Sequence, residues 1–287
     1  MEYINDLTSI IMPSCHVLSK ANKACYRKSI QQNYEKVEFL IFVSGIGKLE
    51  YNYLINFLEK NNIYKHKIKS LYSKSKVGIG IARRSLLRLS KGEYLIFFDS
   101  DDKPHKNIIS KKVNISKQKK SNIIFSNANI HSNFLPKNKF IKRDYYSYLN
   151  KLSQILTKEI FEGFNPFPNS GTLIRKIKKF ENLLENYPSC RHEDFIFYKR
   201  LMLLNKEFTI TNQYLISYNI SLTSTGNKFK SRIWHFNCLI KELKRSKIKA
   251  FLHTVIGTII QSLIRFSFLI SNTKTSKKLK VKQIFIS

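Results

Sequence analysis

Acidic residues are scarce in this sequence. The 287 residues include 19 Asp and Glu against 51 Lys and Arg, so the formal net charge is +32. A surface with so strong a positive charge attracts anions. Nucleotide sugars, anionic lipid head groups and nucleic acids all meet that requirement, so the charge alone does not choose among them.

Cysteine is also scarce, and the first residues contain no long apolar segment. The four cysteines form no Cys-x-x-Cys pair and have no accompanying histidine cluster, which argues against a zinc site or a disulfide framework and predicts free thiols in a reducing compartment. The amino terminus lacks the basic start and long apolar segment of a signal peptide. We therefore expect a cytoplasmic protein, and its 43% hydrophobic content predicts a globular core.

A short apolar run that ends in acidic residues is the most informative stretch. Residues 95–98 read Leu-Ile-Phe-Phe, which predicts a buried strand, and Asp99, Asp101 and Asp102 follow it. Open α/β sheets bind ligands at the carboxyl ends of their strands. Carboxylates this close raise one another's pKa unless a cation neutralises them, and a divalent ion that also binds diphosphate oxygens would do so. The same acids could instead start a turn or cap a helix.

The residues before this strand carry a composite pattern. Residues 77–84 read Val-Gly-Ile-Gly-Ile-Ala-Arg-Arg, an amphipathic segment follows, and residues 91–94 read Lys-Gly-Glu-Tyr. In order, spacing and residue type this stretch resembles the family 2 glycosyltransferases of the GT-A fold. The resemblance implies an α/β fold with a mostly parallel central sheet and flanking helices, a nucleotide-sugar donor, and a divalent metal, Mn or Mg, at Asp99 and Asp101.

A second motif lies further along the chain. Glu193 and Asp194 precede an aromatic residue, Phe195, and then Arg200-Leu201. By itself this pattern predicts a helix whose first turn is acidic, as the helix dipole favours. It also resembles the second signature of the same family, and that resemblance implies that Asp194 is the general base. His192 is expected to have a packing role only.

The donor-binding residues are carried over by resemblance. Residues 9–13 and 38–43 resemble the first two strands of the family, but Ser14 and Ser44 stand where family members have Thr and the Asp that holds uracil. A UDP-sugar is the favoured donor, although these two residues differ from the family at positions that would recognise the nucleotide base. The predicted donor contacts are Pro13, Ser14, Ser44, Lys76, Arg83 and Asp99. Lys76, Arg83 and Arg84 would supply cations for the diphosphate, or form a solvated basic patch.

Alternating strands and helices predict parallel pairing in the first half of the chain. We expect the first strand to stop at Pro13 and Pro104 to lie in the first turn of a helix. Residues 131–150 are expected to form an acceptor-facing loop or an ordinary connection. Residues 169–175 resemble the family strand beside the donor sugar, and residues 208–225 resemble its closing strands and loop.

The carboxyl-terminal segment has a different character. We assign residues 1–225 to the GT-A domain, with a nucleotide-binding half at 1–102 and an acceptor half at 103–225, and residues 226–287 to a basic amphipathic tail. Apolar side chains including Leu252, Val255 and Ile259 share a helical face, with basic clusters on both sides. The pattern predicts helices lying in the plane of an anionic membrane surface. Packing on the catalytic domain or on a partner subunit is the alternative.

Together these features predict an inverting glycosyltransferase. The acceptor would be a hydroxyl of a glycan or lipid-linked glycan of lipopolysaccharide, lipooligosaccharide, capsule or O-antigen type, and the enzyme would be cytoplasmic and peripheral on the inner membrane. Two alternatives remain open: an inactive GT-A homologue that serves as a partner subunit, and a basic nucleic-acid-binding protein. We do not expect a nucleic acid as a partner, because no helix-turn-helix, zinc-finger or single-strand-binding signature is present.

Overall fold

The computed structural model describes residues 3–15, 18, 20–132, 141–143, 169–190, 192–204, 208–220 and 228–259. The strands in this part of the chain are β1 (Ile4–Ser14), β2 (Val37–Ser44), β3 (Lys67–Ser73), β4 (Gly92–Phe97), β5 (Lys103–Pro104), β6 (Ile123–Ser132), β7 (Ile141–Arg143), β8 (Leu173–Arg175) and β9 (Thr209–Ile220). The helices are α1 (Lys20–Ile30), α2 (Lys48–Asn61), α3 (Ile79–Leu89), α4 (Ile108–Lys119), α5 (Glu181–Glu185), α6 (Glu193–Leu204), α7 (Lys228–Lys241) and α8 (residues 247–259).

One sheet organises the molecule, in the order β3-β2-β1-β4-β8-β6-β9-β5, with β7 beside β6. The first four strands are parallel, as alternating strands and helices predict. Beyond β4 the sheet is mixed, because β8 runs antiparallel to both β4 and β6, whereas β9 is parallel to β6. Every residue of β2 and β4 is buried, as expected for strands covered on both faces.

Two apolar clusters cover the two faces of the sheet. Successive side chains of a strand point to opposite faces, so Phe97 lies in one cluster and Phe98 in the other. The Phe97 cluster contains side chains of α3, α5 and α6, and the Phe98 cluster contains side chains of α1, α2 and α4. The sheet is therefore sandwiched between helical layers, with α3 and α6 on the same side.

Both proline predictions need correction. β1 continues through Pro13 to Ser14, paired with β2 on one side. Ile11 accepts a hydrogen bond from Phe98 on the other side, and β4 ends at Phe97, so the nitrogen of Pro13, two residues on, faces the chain beyond the end of β4. Pro104 lies in the short strand β5, paired with Ile216 of β9, and not in a helix, because α4 begins only at Ile108.

The described carboxyl-terminal helices pack on α6. Cys238 and Leu239 of α7 and Ala250 of α8 form a third cluster with Phe195 and Ile196. No helix in the described ranges combines the length and the hydropathy required to cross a membrane. Most of the expected 131–150 loop, residues 221–225 of the expected closing loop and residues 260–287 of the predicted tail lie outside the described residues.

Candidate active site

The carboxyl ends of three neighbouring strands form one edge of the site. Ser14 is paired with Val43, one residue before Ser44, and Ile11 is paired with Phe97, two residues before Asp99. Parallel strands in this register bring their ends together. The structure thus places Pro13, Ser14, Ser44 and Asp99 along the same edge of the sheet, as the sequence motifs predict.

Arg83 joins the two sequence motifs. It lies one turn into α3 and is 2% exposed. Its Nη2 donates to Oδ1 of Asp99 at 2.6 Å, and its Nη1 donates to Oε1 of Glu193. The acids after β4 and the acids at the start of α6 therefore meet on one buried guanidinium.

The close approach of α3 to the segment before α6 depends on Gly80. A Cβ at this position would lie 2.3 Å from the carbonyl oxygen of Pro188 and 2.9 Å from Cα of Ser189. Arg84, on the same helix, donates from Nε to the carbonyl oxygen of Tyr187 at 2.7 Å. Backbone contact and hydrogen bonding thus fix residues 187–189, and with them the start of α6, against α3.

The two acids of the second motif have different surroundings. His192 adopts a positive φ of 63° and its carbonyl oxygen accepts the N–H of Ile196 at 3.2 Å, so the chain turns sharply into α6. Glu193 is buried against Arg83, whereas Asp194 is partly exposed and accepts the N–H of Phe195 at 2.8 Å. Asp194 is therefore the acid of this pair that a second substrate can reach.

Two carboxylates contact the guanidinium of Arg83, and the charge of a third, that of Asp194, also acts on it. Burial raises the pKa of Glu193 to about 7, and the charges of Asp194 and Asp99 act in the same direction, while Arg83 opposes them. Burial acts to lower the pKa of Arg83, but Tyr187 and the acids Asp99, Glu193 and Asp194 together hold it well above its usual value. Arg83 is therefore charged at neutral pH, and Glu193 takes up a proton at a higher pH than an ordinary glutamate does.

Polar side chains hold the loop before β8 in place. The N–H of Asp99 donates to Oγ of Ser170 at 3.2 Å, and the Tyr218 hydroxyl donates to the Ser170 carbonyl oxygen at 2.8 Å. Lys112 is fully buried and donates from Nζ to the Gly171 carbonyl oxygen at 2.5 Å. Burial lowers the pKa of Lys112 well below its usual value. In the sequence, the burial of Lys112 could have been inferred from its position on the same part of α4 as the apolar residues 108, 109 and 113.

The ends of β1 and β2 carry the predicted base-side residues. Oγ of Ser44 accepts the N–H of Val77 at 3.3 Å, and a Cβ on Gly45, whose φ is +74°, would lie 3.3 Å from Cβ of Lys76. These contacts bring Lys76 beside Ser44. The Ser14 hydroxyl lies 2.5 Å from that of Tyr26, on α1.

Two of the three predicted cations, Arg83 and Arg84, have internal partners. Both terminal nitrogens of Arg83 contact carboxylates and Arg84 contacts a carbonyl, so in this arrangement neither guanidinium is directed only at a diphosphate. A phosphate contact by Arg83 would require exchange of one of its partners. Of the three expected cations, Lys76 is the exposed one.

The residues expected to bind a metal have suitable chemistry. Asp99 uses Oδ1 for Arg83, and among the described residues its Oδ2 has no hydrogen-bond partner. Asp101 is exposed two residues later. No group of three or more His, Cys, Asp or Glu side chains within the described ranges is arranged to hold a metal ion. A hard divalent cation held by these two carboxylates would have to take its remaining oxygen ligands from a diphosphate and water.

Comparison with known proteins identifies relatives of this chain. Residues 9–181, more than half of the sequence, match the family described as Glycosyl transferase family 2. A Haemophilus influenzae protein described as an uncharacterized glycosyltransferase is 23% identical over 255 residues, which cover 87% of this chain and 94% of the relative.

Solved structures share the fold. The crystal structure of S. aureus TarS 1-349 in complex with UDP-GlcNAc matches with a TM-score of 0.60 and 13% identity, over 88% of this chain and 71% of that chain. The mannosyltransferase PcManGT from Pyrobaculum calidifontis, in complex with GDP-Man and Mn²⁺, matches with a TM-score of 0.58 and 14% identity, over 87% of this chain and 68% of that chain.

Proposed function

The chain belongs to glycosyl transferase family 2 and has the GT-A fold expected from its sequence, and from this premise we propose that it transfers a sugar from a nucleotide diphosphate to an acceptor hydroxyl with inversion at the anomeric carbon. The observation that carries the proposal is the contact of Arg83 with both Asp99 and Glu193. It unites a donor-side acid with the helix that presents Asp194, and a displacement needs both sides in one place.

The donor side rests on Asp99 and Asp101. These carboxylates would hold a divalent ion, Mn²⁺ or Mg²⁺, which as a Lewis acid neutralises the charge of the departing diphosphate. Lys76, Ser14, Pro13 and Ser44 would line the nucleotide. A UDP-sugar is the favoured donor, and structural relatives bound to UDP-GlcNAc and GDP-Man support a nucleotide sugar.

The acceptor side rests on Asp194. Its carboxylate would take the proton of the acceptor hydroxyl as the oxygen attacks the anomeric carbon from the face opposite to the leaving diphosphate. One displacement inverts the configuration and requires no covalent enzyme intermediate. Glu193 is a weaker base candidate despite its raised pKa, because it is buried and its carboxylate is held by Arg83.

The acceptor is a glycan or a lipid-linked glycan of a bacterial surface polysaccharide in this proposal. The enzyme would work in the cytoplasm at the inner face of the inner membrane, with residues 1–225 as the catalytic domain and residues 226–287 as the membrane-associated tail. The net charge of +32 supports this location, because the cytoplasmic leaflet is anionic.

Titration calorimetry tests the donor side. UDP-sugars and GDP-sugars are titrated into the full chain with Mn²⁺ or Mg²⁺ and again with a chelator, and we expect binding of one nucleotide class that the chelator weakens. Asp101→Ala should lose the metal-dependent part of the affinity, whereas Glu35→Ala, which removes an exposed carboxylate elsewhere, should not. Metal-independent binding in both proteins would contradict the assignment of Asp101.

Turnover separates an enzyme from an inactive homologue. With the bound donor and a panel of glycan acceptors, NMR of the first product formed should show the anomeric configuration opposite to that of the donor. A chain that binds donor tightly but releases no nucleoside diphosphate with any acceptor would instead be the partner subunit.

A further inference from the structure

Helix α8 faces the protein with its polar side. Ala250, His253 and Gly257 are its buried residues, and Ala250 belongs to the cluster that contains Phe195 and Ile196 of α6. The hydroxyls of Thr254 and Thr258 donate to carbonyl oxygens one turn back, at 2.8 and 2.6 Å, so they are satisfied within the helix. The contact with the domain is thus made by small and polar side chains.

The opposite side of α8 is apolar and exposed. Its large side chains are exposed by 76, 61, 51, 39 and 54% at Ile248, Phe251, Leu252, Val255 and Ile259, respectively. At 3.6 residues per turn they fall within an arc of about 100°, opposite to the buried face. We call these five side chains the outer stripe. A surface helix of a globular domain normally buries such a stripe, so this orientation is reversed.

Basic residues surround the outer stripe. Lys247 and Lys249 lie on its two margins on the helical wheel, and Lys241 and Lys244 precede the helix; all four side chains are exposed. The single acid in this stretch, Glu242, pairs with Arg200 of α6 at 2.7 Å. The chain after Ile259 adds Arg265 and five lysines without any acid. A partner for this surface must therefore be apolar at its centre and anionic at its margin.

We propose that the outer stripe inserts into the head-group region of an anionic bilayer, with Lys247 and Lys249 at the phosphate level. Lysine stems can lie along apolar surface while their ammonium groups reach anionic head groups. This inference specifies which side chains make the membrane contact proposed above. Only the benefit of that contact to catalysis rests on the proposed function. Because α8 packs on α6, the bilayer contact would hold the helix of Asp194 near acceptors that are anchored in lipid.

Vesicle flotation of the full chain tests the contact. We expect binding to vesicles of equal phosphatidylglycerol and phosphatidylcholine, weakened by salt, and little binding to phosphatidylcholine alone. Phe251→Ser combined with Leu252→Ser should lower the affinity at least about tenfold, because two large apolar side chains leave the lipid contact. Ile63→Ser is the matched control: it removes a side chain of similar exposure, 63%, from the turn after α2 and should change nothing.

Charge and occupancy are tested separately. Lys247→Gln and Lys249→Gln should each weaken binding about fivefold at low salt, whereas Lys60→Gln should not. The proposal would be overturned if the wild-type protein did not bind anionic vesicles. It would also be overturned if the serine double variant bound them as tightly as Ile63→Ser does. The proposal would also be overturned if the wild-type protein were a dimer and the double variant a monomer, because the stripe would then bind a second copy. A lowered unfolding temperature of the double variant would overturn it as well, because the chain itself would then cover the stripe.

Donor calorimetry keeps this inference apart from the proposed reaction. A double variant that no longer floats but binds nucleotide sugar normally supports the membrane contact alone. Loss of donor binding with unchanged flotation concerns the reaction and leaves the stripe assignment intact.

Discussion

Asp99 and Glu193 bind the same guanidinium although they lie in separate motifs of the chain. Arg83 spans them, with Asp99 at 2.6 Å and Glu193 on the other terminal nitrogen, and the side chains of Arg83 and Glu193 are only 2% and 7% exposed. A buried cation that contacts two carboxylates is costly to disturb, since Arg83 or Glu193 left without its partner would be an uncompensated buried charge. The pairing therefore couples the geometry of the donor edge to that of α6.

Arg83→Lys tests that coupling. Lysine keeps the charge but offers a compact ammonium instead of a planar fork, so it cannot reproduce two separate ion pairs. Breaking a buried ion pair costs about 3–5 kcal/mol, and we expect a loss near the lower end of that range in the free energy of unfolding. Urea denaturation measures it. Arg88→Lys, at an exposed position of the same helix, is the control and should stay within experimental error of wild type.

Gly80→Ala and Gly78→Ala form a matched pair on the first motif. A Cβ at Gly80 would overlap the backbone of Pro188 and Ser189, whereas a Cβ at Gly78 would meet nothing within 4 Å. Overpacking against backbone costs about 1–3 kcal/mol, so only Gly80→Ala should lower the unfolding temperature and slow turnover. Equal stability of the two variants would show that the segment before α6 shifts without cost.

The sequence predicted the elements best where hydrophobic periodicity was strong. The apolar run at residues 95–98 predicted the buried strand β4, which ends at Phe97, and residues 38–43, expected as a strand, lie within β2, because a continuous apolar run determines each. Pro13 and Pro104 misled the prediction, since the effect of a proline depends on whether a neighbouring strand is present to pair with it. That information lies in the tertiary structure.

The site was predictable as a set of motifs but not as a set of contacts. The motifs selected Asp99, Arg83 and Asp194, yet the internal pairing of Arg83 follows from the packing of α3 on α6, which no local pattern encodes. Lys112 was missed because a lysine on a helix is normally solvated, and here it is buried to hold the Gly171 carbonyl. The roles of the predicted donor contacts stay predictions.

Glu193→Gln should change how stability depends on pH. The folded-state pKa of Glu193 is raised to about 7 from 4.5, so between these values the folded protein binds more protons than the unfolded chain, and stability falls as pH rises. Wild-type stability minus that of Glu193→Gln should therefore decrease from pH 5 to pH 7.5, measured by thermal unfolding. An increasing difference would mean that the ion pair with Arg83 outweighs burial.

The difference between the two proteins is the useful quantity in that experiment because a histidine acts in the opposite direction. Burial lowers the pKa of His235 to about 3, so its unfolded form binds the extra proton below pH 6.5 and stability there rises with pH. His235 packs against Phe195 with ring centroids 4.6 Å apart. Its contribution is present in both proteins and cancels on subtraction.

Asp194→Asn should lose turnover and keep donor binding. The amide is nearly isosteric with the carboxylate and retains an oxygen that can accept the N–H of Phe195, so the unfolding temperature should change little. It cannot take a proton at neutral pH, and general-base assistance is typically worth about 10² to 10⁴ in rate. We therefore expect kcat to fall by that factor while the donor affinity measured by calorimetry is unchanged.

Glu185→Gln provides the control for Asp194→Asn, because it neutralises an exposed carboxylate on α5 of the same layer and should leave kcat intact. If Asp194→Asn turns over normally, the carboxylate serves only the start of α6. Glu193 would then be the next candidate, and its burial against Arg83 makes a distinct prediction: its loss as a base would appear together with a loss of stability. Activity and unfolding measured on the same samples of Asp194→Asn and Glu193→Gln separate these two outcomes. Asp194 is the more exposed of the two acids, so its loss as a base should leave the stability unchanged.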